Sequence, residues 1–412
     1  MHEGIEGAMR GIFRIGAAVI VMTGANLWHW QFGDAEAADR LALDKTPVQF
    51  PDIDGWAKDE HAAAFAAFRK SCRKMLDDAK SAEGVKAACE LAVMLPEKLS
   101  TEDARQFFEA NFKPHLVKRP TKGALVTGYF EPEVKGALKP TQEFDVPIYS
   151  LPADLTLIRK ASDRGGLAEE LTAARATDTG LVPYYTRQEI DEGALNGRGL
   201  EIAYLADPYD AFVMQVQGSG LVRLPDGKAL RIGFAGKNGH PYTSIGKVLV
   251  EKGALEAASA TLESVLGWMR ADRERGRRLM WENRSYPFFR VLDESESGNG
   301  PHGALGLPLS QGRSLAVDPR YYQLGTPIWV SAPELKDKKG KPVARLMVAH
   351  DTGSAIRGPV RGDIFWGSGD AAGKIAGETK HVCDFFVLIP NESSNDPQGT
   401  SPRPRGWMPV LR

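Results

Sequence analysis

The chain has 412 residues and a formal net charge of −1 from 52 basic and 53 acidic side chains, which excludes the uniform basicity of a nucleic-acid binder. Its 42% hydrophobic and 25% charged content excludes a disordered chain or a collagen-like fibre, and the length predicts two or three compact units. Three cysteines, none in a CxxC pair, are too few for a disulfide scaffold or a cysteine-based zinc site, whereas 43 glycines and 26 prolines predict many turns and short strands.

Residues 1–37 have the layout of an export signal: Arg10 and Arg14, an apolar run over 15–25, and the small-x-small sequence Ala35-Glu36-Ala37, which predicts cleavage after Ala37. That run is shorter than the ~20 residues that cross a bilayer. Residues 27–30 lengthen it toward an uncleaved anchor, so membrane association through this segment stays open. No cysteine lies near it, so an outer-membrane lipid anchor is not supported. Export would permit a disulfide between Cys72 and Cys89; the competing reading is that both are small buried apolar side chains. Cys383 reads as inert core.

Residues 59–80 place Phe65, Phe68, Cys72, Met75 and Leu76 on one helical face. Helices over 82–94 and from Ser100, with Asp103 helping to cap the latter, follow. Strands are predicted at 125–129 and 146–149, then a hairpin in which strand segments 212–216 and 221–224 lead through Pro225-Asp226-Gly227 into 229–234. One helix is expected from Ser244 to Gly253 and a single long amphipathic one over 255–280. Short strands return at 314–317, 326–330, 345–349, 363–366 and 382–388, and residues 391–412 read as a disordered tail.

Three stretches combine glycine with hydrogen-bonding or ionisable side chains. They are Val126 to Pro132; Gln215 to Gly220 with Gly236 to Tyr242; and Ala349 to Ser354 with Arg361 to Gly367. Lys237 sits in Gly236-Lys237-Asn238-Gly239, which lacks the spacing of a phosphate-binding loop. Amides, hydroxyls and aromatic rings suit a neutral carbohydrate. Asp351 and Asp363 are both placed where strands meet loops, and partial burial beside Phe365 and Trp366 would keep a carboxyl protonated near neutral pH. A guanidinium from Arg357 or Arg361 would oppose this, and a turn-capping Asp351 with a salt-bridged Asp363 is the structural alternative. His240 and His350 have no metal-ligand spacing and are assigned no catalysis; Ser219, in Gly218-Ser219-Gly220, is not a nucleophile elbow.

The motifs Thr127-Gly128-Tyr129 with Pro132, Val216 to Gly220, Phe234 to His240 with Ser244 to Lys247, and Asp351-Thr352-Gly353 with Gly362-Asp363-Ile364 resemble the membrane-bound lytic murein transglycosylase A family, which carries a 3D domain. The resemblance spans about Leu125 to Leu388. It implies a mainly β fold with α: residues 45–131 hold a helical N-terminal region and the first part of a double-psi β-barrel, 293–390 hold its second part, and a β-rich glycan-binding insert over 132–292 interrupts it. It implies a lytic transglycosylase of peptidoglycan that leaves 1,6-anhydromuramic acid ends, in the periplasm of a Gram-negative bacterium. Asp363 would be the catalytic carboxylate and Asp351 its support, with Thr127, Gly128, Tyr129, Gln217, Ser219, Lys237, Asn238 and Tyr242 lining the groove. No metal or organic cofactor is implied; the partners are glycan strands and complexes of cell-wall synthesis or division. Competing readings are a hydrolase using both aspartates, an inert glycan-binding module and an envelope scaffold.

Overall fold

The computed structural model describes residues 40–391 apart from 122, 258, 294–299, 338 and 339. The export-signal reading and the expected disordered tail beyond Asn391 therefore lie outside the described residues.

After a short strand, β1 (Lys45–Pro47), come α1 (His61–Asp77), α2 (Glu83–Met94) and α3 (Thr101–Asn111). Helix α3 starts where Ser100 accepts a hydrogen bond from the Asp103 N–H, which satisfies one of the orphan donors of its first turn. Helical spacing buries Phe65, Phe68, Cys72 and Met75 on one face of α1, packed with Phe107 and Phe108 of α3 and with Trp329, Leu346 and Val348 beneath them. Cys72 and Cys89 form a disulfide joining α1 to α2, with 4.9 Å between their Cα atoms. The buried pair Arg313–Asp59, at 2.7 Å, ties this helical layer to the strands below.

The chain continues through β2 (Phe112–Val117), β3 (Leu125–Glu131), β4 (Glu133–Ala137), β5 (Val146–Tyr149), β6 (Leu155–Leu157), β7 (Ala173–Thr177), β8 (Gly180–Pro183), the single turn α4 (Arg187–Glu189) and β9 (Glu201–Leu205). Then follow α5 (Pro208–Gln217), β10 (Ser219–Arg223), β11 (Ala229–Lys237), α6 (Ile245–Glu251), α7 (Leu262–Arg270), α8 (Arg273–Glu282) and β12 (Pro287–Val291). The last part is β13 (Ser314–Val317), β14 (Pro327–Lys336), β15 (Pro342–Asp351), β16 (Arg361–Ser368), α9 (Asp370–Glu378), β17 (Lys380–His381) and β18 (Asp384–Pro390).

Two sequence expectations fail here. Residues 212–216 are helical: Asp207 caps the Tyr209 N–H, Pro208 opens the first turn, and Gly218 ends α5 in a left-handed conformation, so the end signals outweigh the β-rich composition. The β10–β11 hairpin itself forms. The long helix over 255–280 is two, because Asp272 leaves helical geometry and caps the Arg275 N–H to start α8 anew.

The main sheet has nine strands in the order β1-β2-β18-β14-β15-β13-β16-β3-β17; a six-stranded sheet, β12-β11-β10-β4-β9-β5, and a three-stranded one, β6-β7-β8, come entirely from residues between β3 and β13. This is a β-rich mixed α/β fold whose main hydrogen-bonded order runs open from β1 to β17. Its parallel pairs, β16 with β3 and β13 with β15, need long crossovers, and β3 waits for a partner more than 230 residues later.

Candidate active site

The register of the central strands lines up the residues that matter. Ala316 on β13 pairs with Asp351 on β15 on one side and with Asp363 on β16 on the other; Asp363 in turn pairs with Thr127 on β3. With ~4.8 Å between neighbouring strands, the two aspartates stand roughly 10 Å apart at their Cα atoms. Ala316 is the spacer between them. Tyr129, Leu309, Ala316, Ile356 and Phe365 form a small buried cluster of their own, an apolar floor on this face. Alternation along β3 explains the division: Thr127 and Tyr129 face the carboxylates, while Phe130 turns to α9.

Asp363 Oδ1 accepts a 2.6 Å hydrogen bond from Thr127 Oγ1. Burial pushes its carboxyl up to about 6, against the opposing pull of Arg361 and the Thr127 hydrogen bond, with a smaller push from the Asp351 charge. Arg361 donates to the carbonyl of Gly362 and, at 3.5 Å, to that of Leu125, so its guanidinium is held by backbone oxygens and makes no ion pair with Asp363 among the described residues. Asp363 as a whole residue is half-buried.

Asp351 has both oxygens engaged. Oδ1 accepts from the N–H groups of Ala304 at 2.9 Å and Thr352 at 2.8 Å, and Oδ2 accepts from the Tyr129 hydroxyl at 3.0 Å. Its carboxyl is also pushed up to about 6 by burial, partly offset by those three hydrogen bonds. Burial and the neighbouring Asp351 and Asp363 charges hold the Tyr129 phenol far above its ordinary value, so it remains a donor. Next to Asp351, His350 is fully buried between Ser71 and Ser314, 2.8 and 2.7 Å away, and burial lowers it to about 4. It is a neutral structural pin between α1 and β13.

The other predicted residues separate into two groups. Tyr242 and Gln217 line a cavity of about 180 Å³ with Phe212, Val216, Thr261 and Leu262. Tyr242 feels the Asp363 charge, and burial raises its phenol. Lys237 reaches Ser354 on the loop after Asp351, at 3.0 Å. By contrast, Asn238 is fully buried, donating to the carbonyls of Tyr185 and Arg284 and accepting from the Tyr286 N–H, so it fastens loops and does not face a groove. Gly128 is needed for packing: a Cβ there would lie 2.6 Å from the Trp366 ring and 2.9 Å from Ala376 Cα. Ser219 is buried at the start of β10. Gln217 also has a structural duty, since its Oε1 accepts from the Phe130 N–H at 3.0 Å.

Sequence reading missed Glu131 and Arg187. Fully buried Glu131 takes a bidentate ion pair from Arg231, at 2.8 and 3.1 Å, and a 2.6 Å hydrogen bond from Ser368, which joins the main sheet to the six-stranded one. Buried Arg187 donates to the carbonyls of Asn283 and Ser285 and to Gln215, between the rings of Phe212 and Tyr286. Only contacts between segments far apart in the chain give these residues their roles. Among the described residues, no group of three or more His, Cys, Asp or Glu side chains is placed to hold a metal ion.

Fold and site together present two raised carboxyls beside an apolar floor, on a β-rich scaffold joined from two separated stretches of chain. Residues 125–290 match the MltA specific insert domain and residues 313–389 the 3D domain. The membrane-bound lytic murein transglycosylase A of Vibrio cholerae is 35% identical over 285 residues, which are 68% of this chain and 69% of that one. The crystal structure of a membrane-bound lytic murein transglycosylase from Agrobacterium tumefaciens is 37% identical with a TM-score of 0.77, covering 84% of this chain and 97% of that one. Escherichia coli MltA with bound chitohexaose superposes with a TM-score of 0.59 at 26% identity, covering 86% of this chain and 93% of that one. The chain belongs to the membrane-bound lytic murein transglycosylase A family of peptidoglycan lytic transglycosylases.

Proposed function

We propose that this chain cleaves the β-1,4 bond between N-acetylmuramic acid and N-acetylglucosamine in peptidoglycan without water, with Asp363 as acid and then base. The observation that carries the reading is the placement of Asp363 beside the apolar floor, hydrogen-bonded to Thr127, where burial raises its carboxyl to about 6. Protonated Asp363 donates to the glycosidic oxygen as the bond from muramic C1 breaks and positive charge develops there. The carboxylate so formed takes the proton of the same sugar's C6 hydroxyl, whose oxygen bonds to C1 and closes the 1,6-anhydro ring. Because this nucleophile is tethered, its effective concentration replaces an activated water, and a second catalytic carboxylate is unnecessary. The hydrogen bonds on Asp351 favour a positioning role over that of a base holding water, which argues against a two-aspartate hydrolase.

The same reading curls the main sheet into a double-psi barrel with residues 132–292 as insert and the glycan between them. In support, Cα atoms of edge strand β17 come within 8 Å of β14, and one core cluster draws on strands from β2 to β3 across the sheet. It also places the chain in the cell envelope; no described helix is long and apolar enough to cross a membrane. Mass spectrometry of digested murein sacculi tests the chemistry: anhydro ends are expected from the wild type, and reducing ends alone would reject it. Unchanged lysis by a folded Asp363→Asn variant would remove the assigned acid.

A further inference from the structure

Two cations flank the loop that follows Asp351. Lys237, the last residue of β11, donates from Nζ to Ser354 Oγ, and Arg357 lies on that loop with its guanidinium on the carbonyls of Gly353 and Ile356. Among the described residues neither has a carboxylate partner. Lys237 is half-buried, and burial followed by the Arg357 charge pulls its ammonium below the ordinary lysine value, so the two positive charges act on one another. A half-buried cation with only a hydroxyl for company gains most from an arriving anion. One line of geometry brings that anion toward the reaction centre: Lys237 holds Ser354, three residues beyond Asp351, whose strand position is linked to that of Asp363 across Ala316.

Resting on the function proposed above, we propose that Lys237, assisted by Arg357, binds a carboxylate of the murein strand and makes the enzyme prefer muramic acid to a plain N-acetylglucosamine polymer. N-acetylmuramic acid differs from N-acetylglucosamine by a lactyl ether. Its carboxylate is free in peptide-free glycan; in peptide-bearing glycan it is amidated and the stem peptide supplies the carboxylates.

Calorimetric titration of the full chain carrying Asp363→Asn, which prevents turnover, tests the assignment with three hexasaccharides. These are chitohexaose, which has no carboxylate, peptide-free murein and peptide-bearing murein. Adding Lys237→Gln, which keeps a donor toward Ser354 and removes the charge, is expected to weaken murein binding about tenfold and to leave chitohexaose unchanged, while Lys237→Arg retains most of the affinity. Unchanged chitohexaose binding also certifies a folded groove. Weakening with the peptide-free strand assigns the lactyl carboxylate; weakening confined to the peptide-bearing strand assigns the stem peptide. Equal weakening of all three ligands, or none for either murein ligand, overturns the proposal. Failure of the underlying function reads differently, as wild-type digests that lack anhydro ends.

Discussion

Thr127 and Asp363 face one another across the parallel pair β3 and β16, and the threonine hydroxyl donates to the carboxyl at 2.6 Å. This hydrogen bond fixes which way the carboxyl points while favouring its ionised form, so burial is the influence that keeps the group protonated. Asp363→Asn is expected to reduce turnover at least ~10³-fold, at the scale of lost acid–base catalysis, with a melting temperature no lower than wild type. Release of anhydromuropeptides, followed by chromatography, is the readout. Thr127→Val tests orientation: turnover should fall about tenfold, and the alkaline limb of the pH profile should move upward because a stabiliser of the carboxylate is gone.

Tyr129→Phe removes the donor to Asp351 Oδ2 while keeping the ring that packs on Phe365 at 5.3 Å. The phenyl variant should fold normally. A several-fold loss in kcat with KM nearly unchanged is expected if Asp351 positions the reaction centre, and a variant with wild-type kcat would detach Asp351 from it.

Both aspartates are raised to about 6, from ordinary values near 4, and this sets the sign of two pH effects. Activity that needs protonated Asp363 should decline as pH rises above about 6. Stability follows linkage: the folded chain holds these protons more tightly than the unfolded one, so their contribution is complete below the unfolded value and is lost as pH rises through 6. Asparagine cannot ionise. The melting temperature of Asp363→Asn minus that of wild type should therefore increase between pH 4 and pH 7, and parallel curves would contradict the buried, raised carboxyl.

The Cys72–Cys89 disulfide closes a loop with a sequence separation of 17, for which chain-entropy reasoning gives about 3 kcal/mol. Reduction, or the double serine variant, should lower the melting temperature by several degrees. Cys383 is buried and its thiol is pushed up to about 12, so iodoacetamide should label it only after unfolding.

Gly128→Ala should be destabilising by about 1–3 kcal/mol, because the added methyl meets the Trp366 ring and the backbone of α9. Chemical denaturation measures the loss. A neutral result would return Gly128 to the substrate-facing role that its motif implies.

Local signals were legible wherever the physics was local. The Phe65, Phe68, Cys72 and Met75 spacing announced α1, and Ser100 announced the start of α3. Composition misled at 212–216, where Asp207-Pro208 and Gly218 impose a helix on β-rich residues, and at Asp272, a cap inside a continuous amphipathic pattern. The carboxylates could be named from strand ends and family motifs. Their spacing could not, because it depends on Ala316 standing between two strands whose register no short window of sequence encodes. Asn238 shows the converse: a polar residue in a glycine-rich loop looks ready for a sugar until its three buried hydrogen bonds are seen.

The hydroxyl at Thr127 and the acid at Asp363 are 236 positions apart in the chain. During synthesis the first emerges 236 residues before its counterpart and until then has no partner. Any fragment released early, by stalling or by proteolysis between the two, lacks the Thr127–Asp363 pair, which arrives in one step with completion of the strands around it.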